Sequence, residues 1–572
     1  MQRLERLLPE RSRQFREETY KRVTWGHWFA LFNIVVALLI SSRYAFNADW
    51  PNTLLGKLYF FVSLFGHFSF VVFTFYLILI FPFSFILKDS RAFRGVSVVI
   101  ATISMTILLV DTEVFKRFYL HLSPLVWELL INQEEGELAR QWQLLFVPMP
   151  IILLAQMLYS RWSWNKSRSF ARQKWGKYVA FFFLGCFSAT HLLYAFADMS
   201  LYRPVTAQKA NYPLSYPMTA RSFLEKHNLI DRANFDQQLE STGRLDAFYL
   251  NYPKNSLKFD TVETPINLLL INLSGLSNAQ ISAERMPQLF EISQKSKVFE
   301  QHYSSANSPS ASIVNLFYSL SGRYLDSILS EQKPSIFISR LQELNYQFGL
   351  FSHNGFNEPL YQRALFRDFS LPKSTSNQQA IEQWQTWLKS VTKPFFSYLD
   401  LSSHNQIESV TQLDQQVAQI WQSLEQQGLL HRTLIVITSD LAQHNKQANN
   451  FAQQKLKVPF MLYWQGEHHR YTGLSSHLDL APTLLSQFLG MKSPLADYSQ
   501  GIDLTKSNER RWLLASDYKW NVAIMPDGSQ YQIDRKGDFI YYNAEGLQEK
   551  HTKPPLALFL QLIQQSNLFV EN

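Results

Sequence analysis

The chain has 572 residues, 54 Lys and Arg against 46 Asp and Glu, and a formal net charge of +8. Residues 1–200 hold 21 basic and 13 acidic side chains, while 201–572 hold 33 of each, so the whole surplus sits in the first third. A nucleic-acid binder needs its basic face on the folded domain, and a disulfide framework needs more than the single Cys186, so both classes are excluded.

Five apolar stretches, at 26–42, 58–87, 95–111, 144–160 and 178–198, precede residue 200. About 20 residues cross a hydrocarbon core, so each is expected to span once its aromatic flanks are counted. The first lacks a small-residue cleavage site behind it and reads as a retained helix, not a signal peptide. Lys and Arg number seven before the first stretch and six in the loop at 161–177, with fewer between. That bias predicts a cytoplasmic N-terminus and places everything after residue 200 on the far side of the membrane. His67, His191 and Asp111 lie within or at the end of spans and are functional candidates; partners on neighbouring helices, or an interfacial position for Asp111, give the structural reading. Residues 118–130 (FYLHLSPLVWELL) pattern as an amphipathic helix on the outer face.

Residues 200–262 are polar and proline-dotted. They read as a connector with an amphipathic helix, whose Arg203, Lys209, Arg221 and Lys226 are placed to meet lipid phosphates. An ordinary solvated linker is the equal alternative. From 264 the rhythm changes. β-rich apolar runs at 266–273, 348–351, 395–401, 434–439 and 458–464 alternate with helical patterns at 335–344, 413–427 and 480–489. Continuous apolar strands with crossover helices predict an α/β fold with a mainly parallel central sheet, covered on both faces. The tail alternates with turn residues and predicts an antiparallel hairpin at the sheet's edge. The expected domains are therefore a helical membrane domain at 1–199, a connector at 200–262 and an α/β domain at 263–572.

Six segments in order, 267–275 (NLLLINLSG), 299–322, 344–351, 395–404 (FFSYLDLSSH), 434–440 (LIVITSD) and 476–485 (SHLDLAPTLL), resemble the sulfatase/alkaline-phosphatase superfamily. Catalysis there requires a hydroxyl or modified-cysteine nucleophile beside one or two divalent cations. Position by position, the resemblance is to a degenerate member. Ser274 stands where the first acidic ligand belongs. The sulfatase "CxPSR" segment would place its nucleophile at Asn307 and its Arg at Ala311, so that alignment fails. Alignment with the phosphoglycerol-transferring branch makes Ser308 the candidate nucleophile. The "DHG" pair reads Asp440-Leu441, and the histidine expected before Val458-Pro459 is missing. His404 and His477 stand at motif positions, and His353 near another. One carboxylate and two imidazoles (Asp440, His404, His477) suit Mg²⁺ poorly, though Zn²⁺ is chemically allowed; the other reading is that they are remnants in an inherited cleft. No cofactor is then expected, and the domain reads as a pseudoenzyme.

Residues 20–33 (YKRVTWGHWFALFN), the aromatic second span and 213–226 (PLSYPMTARSFLEK) resemble, with the rest of the chain, the YejM/PbgA family of Gram-negative inner-membrane proteins. That resemblance implies five transmembrane helices and a periplasmic sulfatase-like domain. It also implies binding of lipopolysaccharide through lipid A, with possible roles in cardiolipin binding or transport. Through the adaptor LapB, such a protein would restrain FtsH, the protease that degrades LpxC, and so control lipid A synthesis. One departure is Ser222, where the family pattern resembles a second Arg after Arg221. Arg221→Glu is expected to uncouple lipid sensing without unfolding the domain. The alternative function is a metal-dependent phosphatase or head-group transferase acting on membrane lipids; a third reading is a scaffold that docks a protein through the old cleft.

Overall fold

The computed structural model describes residues 10–46, 50–124, 126–127, 146–173, 175–227, 231–402, 410–442, 449–506, 510–535, 537–550 and 552–570. Backbone contacts divide the chain into two compact units, Met1–Arg232 and Ala233–Glu571.

The first unit is helical. Its long elements are α1 (Glu10–Ala45), α2 (Leu54–Phe75, prolonged by a π-turn at Tyr76–Ile80), α3 (Ser90–Phe118), α4 (Met149–Asn165) and α5 (Trp175–Met199). Among the described residues, four helical stretches are long and apolar enough to cross a membrane: Phe15–Ala45, Leu54–Ile86, Ser90–Phe118 and Trp175–Met199. The remaining expected span is represented by α4, whose 17 residues rise only about 25 Å. Large apolar side chains such as Leu39, Ile78, Ile151 and Phe181 face outward, while polar groups are satisfied inside, as a hydrocarbon solvent demands. Asn33 and Gln156 exchange amide hydrogen bonds of 3.3 and 2.7 Å between α1 and α4. Arg22 is fully buried and donates to the carbonyls of Ser84 and Lys88 and to the Thr19 hydroxyl. At Gly66 the backbones of α2 and α5 touch: a Cβ there would lie 2.7 Å from the Phe187 nitrogen, so only glycine fits this crossing.

Asp111, near the end of α3, organises one end of the unit. It accepts the Tyr44 hydroxyl, the Leu122 N–H at 2.5 Å and a His121 ring nitrogen at 2.8 Å. This is the structural role, carried out by partners that span three segments. The amphipathic helix expected over 118–130 is not continuous from α3. Tyr119 closes α3 in the left-handed conformation (φ 52), residues 120–123 are non-helical, and helix resumes only at Pro124. Leu125 and residues 128–130 lie outside the described residues.

The second unit is built on a seven-stranded sheet of order β3-β4-β1-β5-β6-β2-β7. The strands are β1 (Asn267–Ser274), β2 (Lys297–Tyr303), β3 (Gln347–Ser352), β4 (Phe395–Ser402), β5 (Thr433–Thr438), β6 (Phe460–Tyr463) and β7 (His469–Ser476). Only β6 runs against its neighbours, so the sheet is mainly parallel. Its helices are α6 (Pro287–Gln294), α7 (Pro309–Tyr318), α8 (Ile336–Glu343), α9 (Asn377–Leu388), α10 (Val410–Gln426) and α11 (Leu480–Phe488). Alternation along the strands sorts the core. Leu268, Leu270, Phe396 and Val436 pack on one face with α7, α8 and α11. Leu269, Ile271, Leu399 and Ile435 pack on the other with α6, α9 and α10.

Every expected strand and helix of this sheet is present, but β2 and β7 went unpredicted. β7 (HRYTGLSS) is an edge strand whose first half is largely exposed, and the internal β2 (KVFEQHY) carries Lys297 and Glu300 at half-buried positions, so neither reads as an apolar run. The tail corrects a second expectation. Instead of a hairpin on the sheet's edge it forms a separate five-stranded antiparallel sheet, β12-β11-β10-β9-β8. These strands are β8 (Leu513–Ser516), β9 (Trp520–Ile524), β10 (Gln530–Asp534), β11 (Phe539–Tyr542) and β12 (Gln548–Glu549), followed by the helix α12 (Leu556–Ser566). The opening strand, LLAS, is buried at all four positions and so shows no alternation to betray it.

The connector expected at 200–262 is divided by the same boundary. Residues after 243 are built into the α/β unit: Tyr252 donates its hydroxyl to the Tyr318 carbonyl at 2.8 Å, and Asp260 N–H to Gly490 at 2.7 Å.

Candidate functional site

Ligands of open α/β sheets bind beyond the carboxyl ends of the strands, and the superfamily-like residues gather there. Ser274 ends β1, Asp400 lies near the end of β4 and Asp440 two residues past β5. The first turn of α7 closes over them, because Ser312 donates its hydroxyl to the Asp440 carbonyl at 2.7 Å. Asp440 is 6% exposed. Its carboxylate accepts Ser274 Oγ–H at 3.1 Å and the Leu441 N–H at 2.7 Å. The serine that replaced the acidic ligand therefore bonds the acid that remained.

Two carboxyls that the sequence reasoning left out complete the group. Asp400 accepts from Asn272 at 2.8 Å and Ser352 at 3.0 Å, and His353 approaches it to 3.7 Å. Glu358 accepts the Ser310 hydroxyl. Burial raises the affinity of all three for protons. Asp440 is pushed up to about 7, first by burial and then by the charges of Asp400 and Glu358; Asp400 and Glu358 are raised, mainly by burial. Asp400 lay inside a quoted motif, but nothing in spacing distinguished it from a core position.

His477 is nearby in sequence terms but chemically spent. It is fully buried, with Nδ1 2.8 Å from His302 Nε2 and Nε2 3.0 Å from the Ser439 carbonyl. His302 Nδ1 in turn lies 3.0 Å from the Ser475 hydroxyl. One proton arrangement satisfies all of them: Ser475 donates to His302, His302 to His477, and His477 to Ser439. Burial favours neutral rings, lowering His477 to about 4 and His302 well below its usual value. His302 sits in the unpredicted β2, which is why the pair was not foreseen. His404 lies outside the described residues. Among the described residues no three His, Cys, Asp or Glu side chains are grouped to hold a metal ion.

Ser308 is the N-cap of α7, its hydroxyl accepting the Ala311 N–H at 3.4 Å, with Pro309 in the first turn. This is a helix-capping role. Ser308→Ala is expected to cost about 1 kcal/mol or less of stability, read as a small drop in the unfolding midpoint. Asn307 is fixed by Asp517 at 2.5 Å and Lys455 at 2.6 Å.

The four cations proposed for lipid contact all lie in the helical unit. Arg203 opens a short helix, Arg203–Thr206, and Lys209 lies half-buried in the turn Ala207–Ala210 that follows. Arg221 and Lys226 begin and end the helix Arg221–Lys226, with Lys226 exposed. Arg221 grips Asp198 near the end of α5 with two hydrogen bonds of 2.7 and 2.5 Å, and Asp198 is almost wholly buried. Two histidines strap the intervening chain to the helices. His67 Nε2 lies 2.8 Å from the Pro213 carbonyl, and His191 Nδ1 accepts the Met218 N–H at 3.1 Å. Between these straps Leu214, Tyr216 and Met218 are 76%, 88% and 57% exposed, an every-second-residue apolar edge. Beneath it a small cavity is lined by Tyr59, Ser63, His67, Thr190, His191 and Tyr212.

A family model described as a domain of unknown function, DUF3413, matches residues 12–259, and one described as Sulfatase matches residues 401–491. An uncharacterized protein of Haemophilus influenzae is 45% identical over 578 residues, 98% of each chain. Inner membrane protein YejM of Salmonella typhi is 39% identical over 582 residues, 98% of this chain and 99% of that one. Among solved structures, the lipoteichoic acid synthase LtaP of Listeria monocytogenes is similar with a TM-score of 0.42 and 15% identity, covering 55% of this chain and 95% of that one. With apolar helices followed by a sulfatase-like α/β unit, and with this identity along nearly its whole length, the chain belongs to the YejM family of inner membrane proteins.

Proposed function

We propose that this protein is a lipid sensor and not a catalyst: it binds lipopolysaccharide through lipid A at the outer face of the inner membrane, its α/β unit lying in the periplasm. The reading rests on the strapped segment 213–221. It offers an apolar edge (Leu214, Tyr216, Met218) beside a guanidinium held in place by Asp198. Acyl chains and phosphates are what such a surface suits. Lys209, Arg203 and Lys226 add charge, and cardiolipin offers the same chemistry in smaller form. The cleft supports the non-catalytic half of the proposal, since its carboxyls are hydrogen-bonded to serines and its candidate nucleophile caps a helix. By family analogy, occupancy would be passed through the membrane helices to a LapB-type adaptor, and so to FtsH and LpxC.

The bond to Asp198 changes the variant that tests this. Arg221→Glu would face a buried carboxylate with a second one, at a cost of about 2–3 kcal/mol, so loss of binding and loss of structure would coincide. Arg221→Gln combined with Asp198→Asn keeps a neutral hydrogen-bonded pair. In native mass spectrometry of the full-length protein, this double variant is expected to retain lipid A about tenfold less well than the wild type, while unfolding at nearly the same temperature. Unchanged lipid A retention would sink the proposal. The rival, a metal-dependent phosphatase or head-group transferase, requires instead a stoichiometric divalent ion and an activity that Ser308→Ala abolishes.

A further inference from the structure

A second cationic feature lies within the α/β unit and has no part in the lipid A proposal. Three guanidinium groups gather over two aromatic rings. Arg244 lies 3.6 Å from the Tyr518 ring centre and Arg535 4.1 Å from the same ring. Arg535 also lies 4.8 Å from the Phe248 ring centre, and Arg323 4.5 Å from it. Their charges are unevenly balanced. Arg244 has Asp246 at 3.4 Å, and its own N–H bonds Asp326 at 3.0 Å. Asp246 also accepts the Tyr518 hydroxyl at 2.5 Å. Arg323 and Arg535, by contrast, form no ion pair among the described residues, and the Nε of each is buried without a hydrogen-bond partner. Arg323 is 4% exposed, and its guanidinium donates a long hydrogen bond of 3.4 Å to the neutral Asn521 amide oxygen.

Burying a guanidinium without a paired carboxylate is costly; Asp326 lies close enough for its charge to act on Arg535, but no carboxylate among the described residues acts on Arg323, and both guanidiniums face the same Phe248 ring. Their mutual repulsion, with burial as the larger cause, pulls Arg323 down to about 9. An anion held between the two would offset both the burial and the repulsion. The planar guanidinium fork matches tetrahedral oxyanions in paired hydrogen bonds, and two forks ask for more acceptor oxygens than one carboxylate carries.

We propose that Arg323 and Arg535, backed by Arg244 and walled by Phe248 and Tyr518, form a binding site for a phosphate group. The same chemistry is offered by free phosphate and by a phospholipid head group, and the test separates them. The detergent-solubilised full-length protein is titrated with sodium phosphate against sodium chloride at matched ionic strength. In parallel it is titrated with dihexanoyl phosphatidic acid against dihexanoyl phosphatidylcholine, with the unfolding midpoint and Tyr/Trp fluorescence followed. A saturable rise with phosphate alone assigns the free anion; a rise with phosphatidic acid alone assigns the head group; a rise with both assigns the phosphate group irrespective of its carrier. In each case Arg535→Gln, a change at a part-exposed side chain, is expected to weaken the response about tenfold. No response to either probe, or a response that Arg535→Gln leaves unchanged, overturns the proposal. Because Arg221 lies in the other unit, the double variant at Asp198 and Arg221 is expected to respond as the wild type does.

Discussion

Asp479→Ala is expected to destabilise the α/β unit by about 4 kcal/mol, among the larger effects a single side chain can have. Asp479 has no exposed surface. Both of its oxygens are held by Arg510, at 2.7 and 2.8 Å, and it also accepts the N–H groups of Ser476 at 2.7 Å and Ile502 at 2.9 Å. Removing the carboxylate strands a guanidinium that is only 14% exposed and leaves two buried N–H donors without partners. The backbone cannot shift to compensate. Gly501 passes so close to the Leu478 carbonyl that a Cβ there would sit 1.9 Å from its oxygen. Arg510→Ala is expected to do similar damage from the other side, and Asp479→Asn distinctly less, since the amide keeps one acceptor. Denaturant unfolding of the full-length protein, followed by the fluorescence of the α/β unit, measures this. A loss below about 1 kcal/mol in Asp479→Ala would show the pair to be dispensable.

That prediction also marks where the sequence was legible. The segment 476–485 was recognised as a motif, and His477 drew attention as a ligand candidate, yet the residue that holds the local structure together is Asp479, two positions on. A ligand motif and a buried ion pair look alike in one dimension; what separates them is Arg510, 31 positions away. The apolar strands and crossover helices were readable because their periodicity is fixed by burial on both faces of the sheet. The edge strand β7 was not, because half of it meets solvent and its residues need not alternate. Likewise the cations at 203–226 were found by composition, while the carboxylate that engages Arg221 lies on a helix 23 positions earlier. Motif alignment makes Ser308 a nucleophile candidate, and its backbone setting, which alignment does not carry, has its hydroxyl capping a helix.

Asp440 is where pH should be felt most. Its carboxyl titrates near 7 in the folded protein against 3.8 for the free side chain, so the fold favours the protonated form. A raised folded-state value contributes stability that is whole below about pH 4 and is lost as pH climbs through about 7. The difference is about three pK units, which sets an upper scale on the order of 4 kcal/mol. Asp400 and Glu358, raised in the same direction, add to the trend. Asp440→Asn preserves the shape and can still accept from Ser274, but it has no proton to lose. The variant is therefore expected to match or trail the wild type near pH 4 and to overtake it steadily up to about pH 7.5, as the wild-type carboxyl is forced to ionise beside its two neighbours. Unfolding midpoints of both proteins across that range give the answer directly. A gap between them that stays constant with pH would mean that Asp440 is already ionised in the fold. In that case the Ser274 bond holds a carboxylate, and the cleft regains the charge that a divalent cation needs.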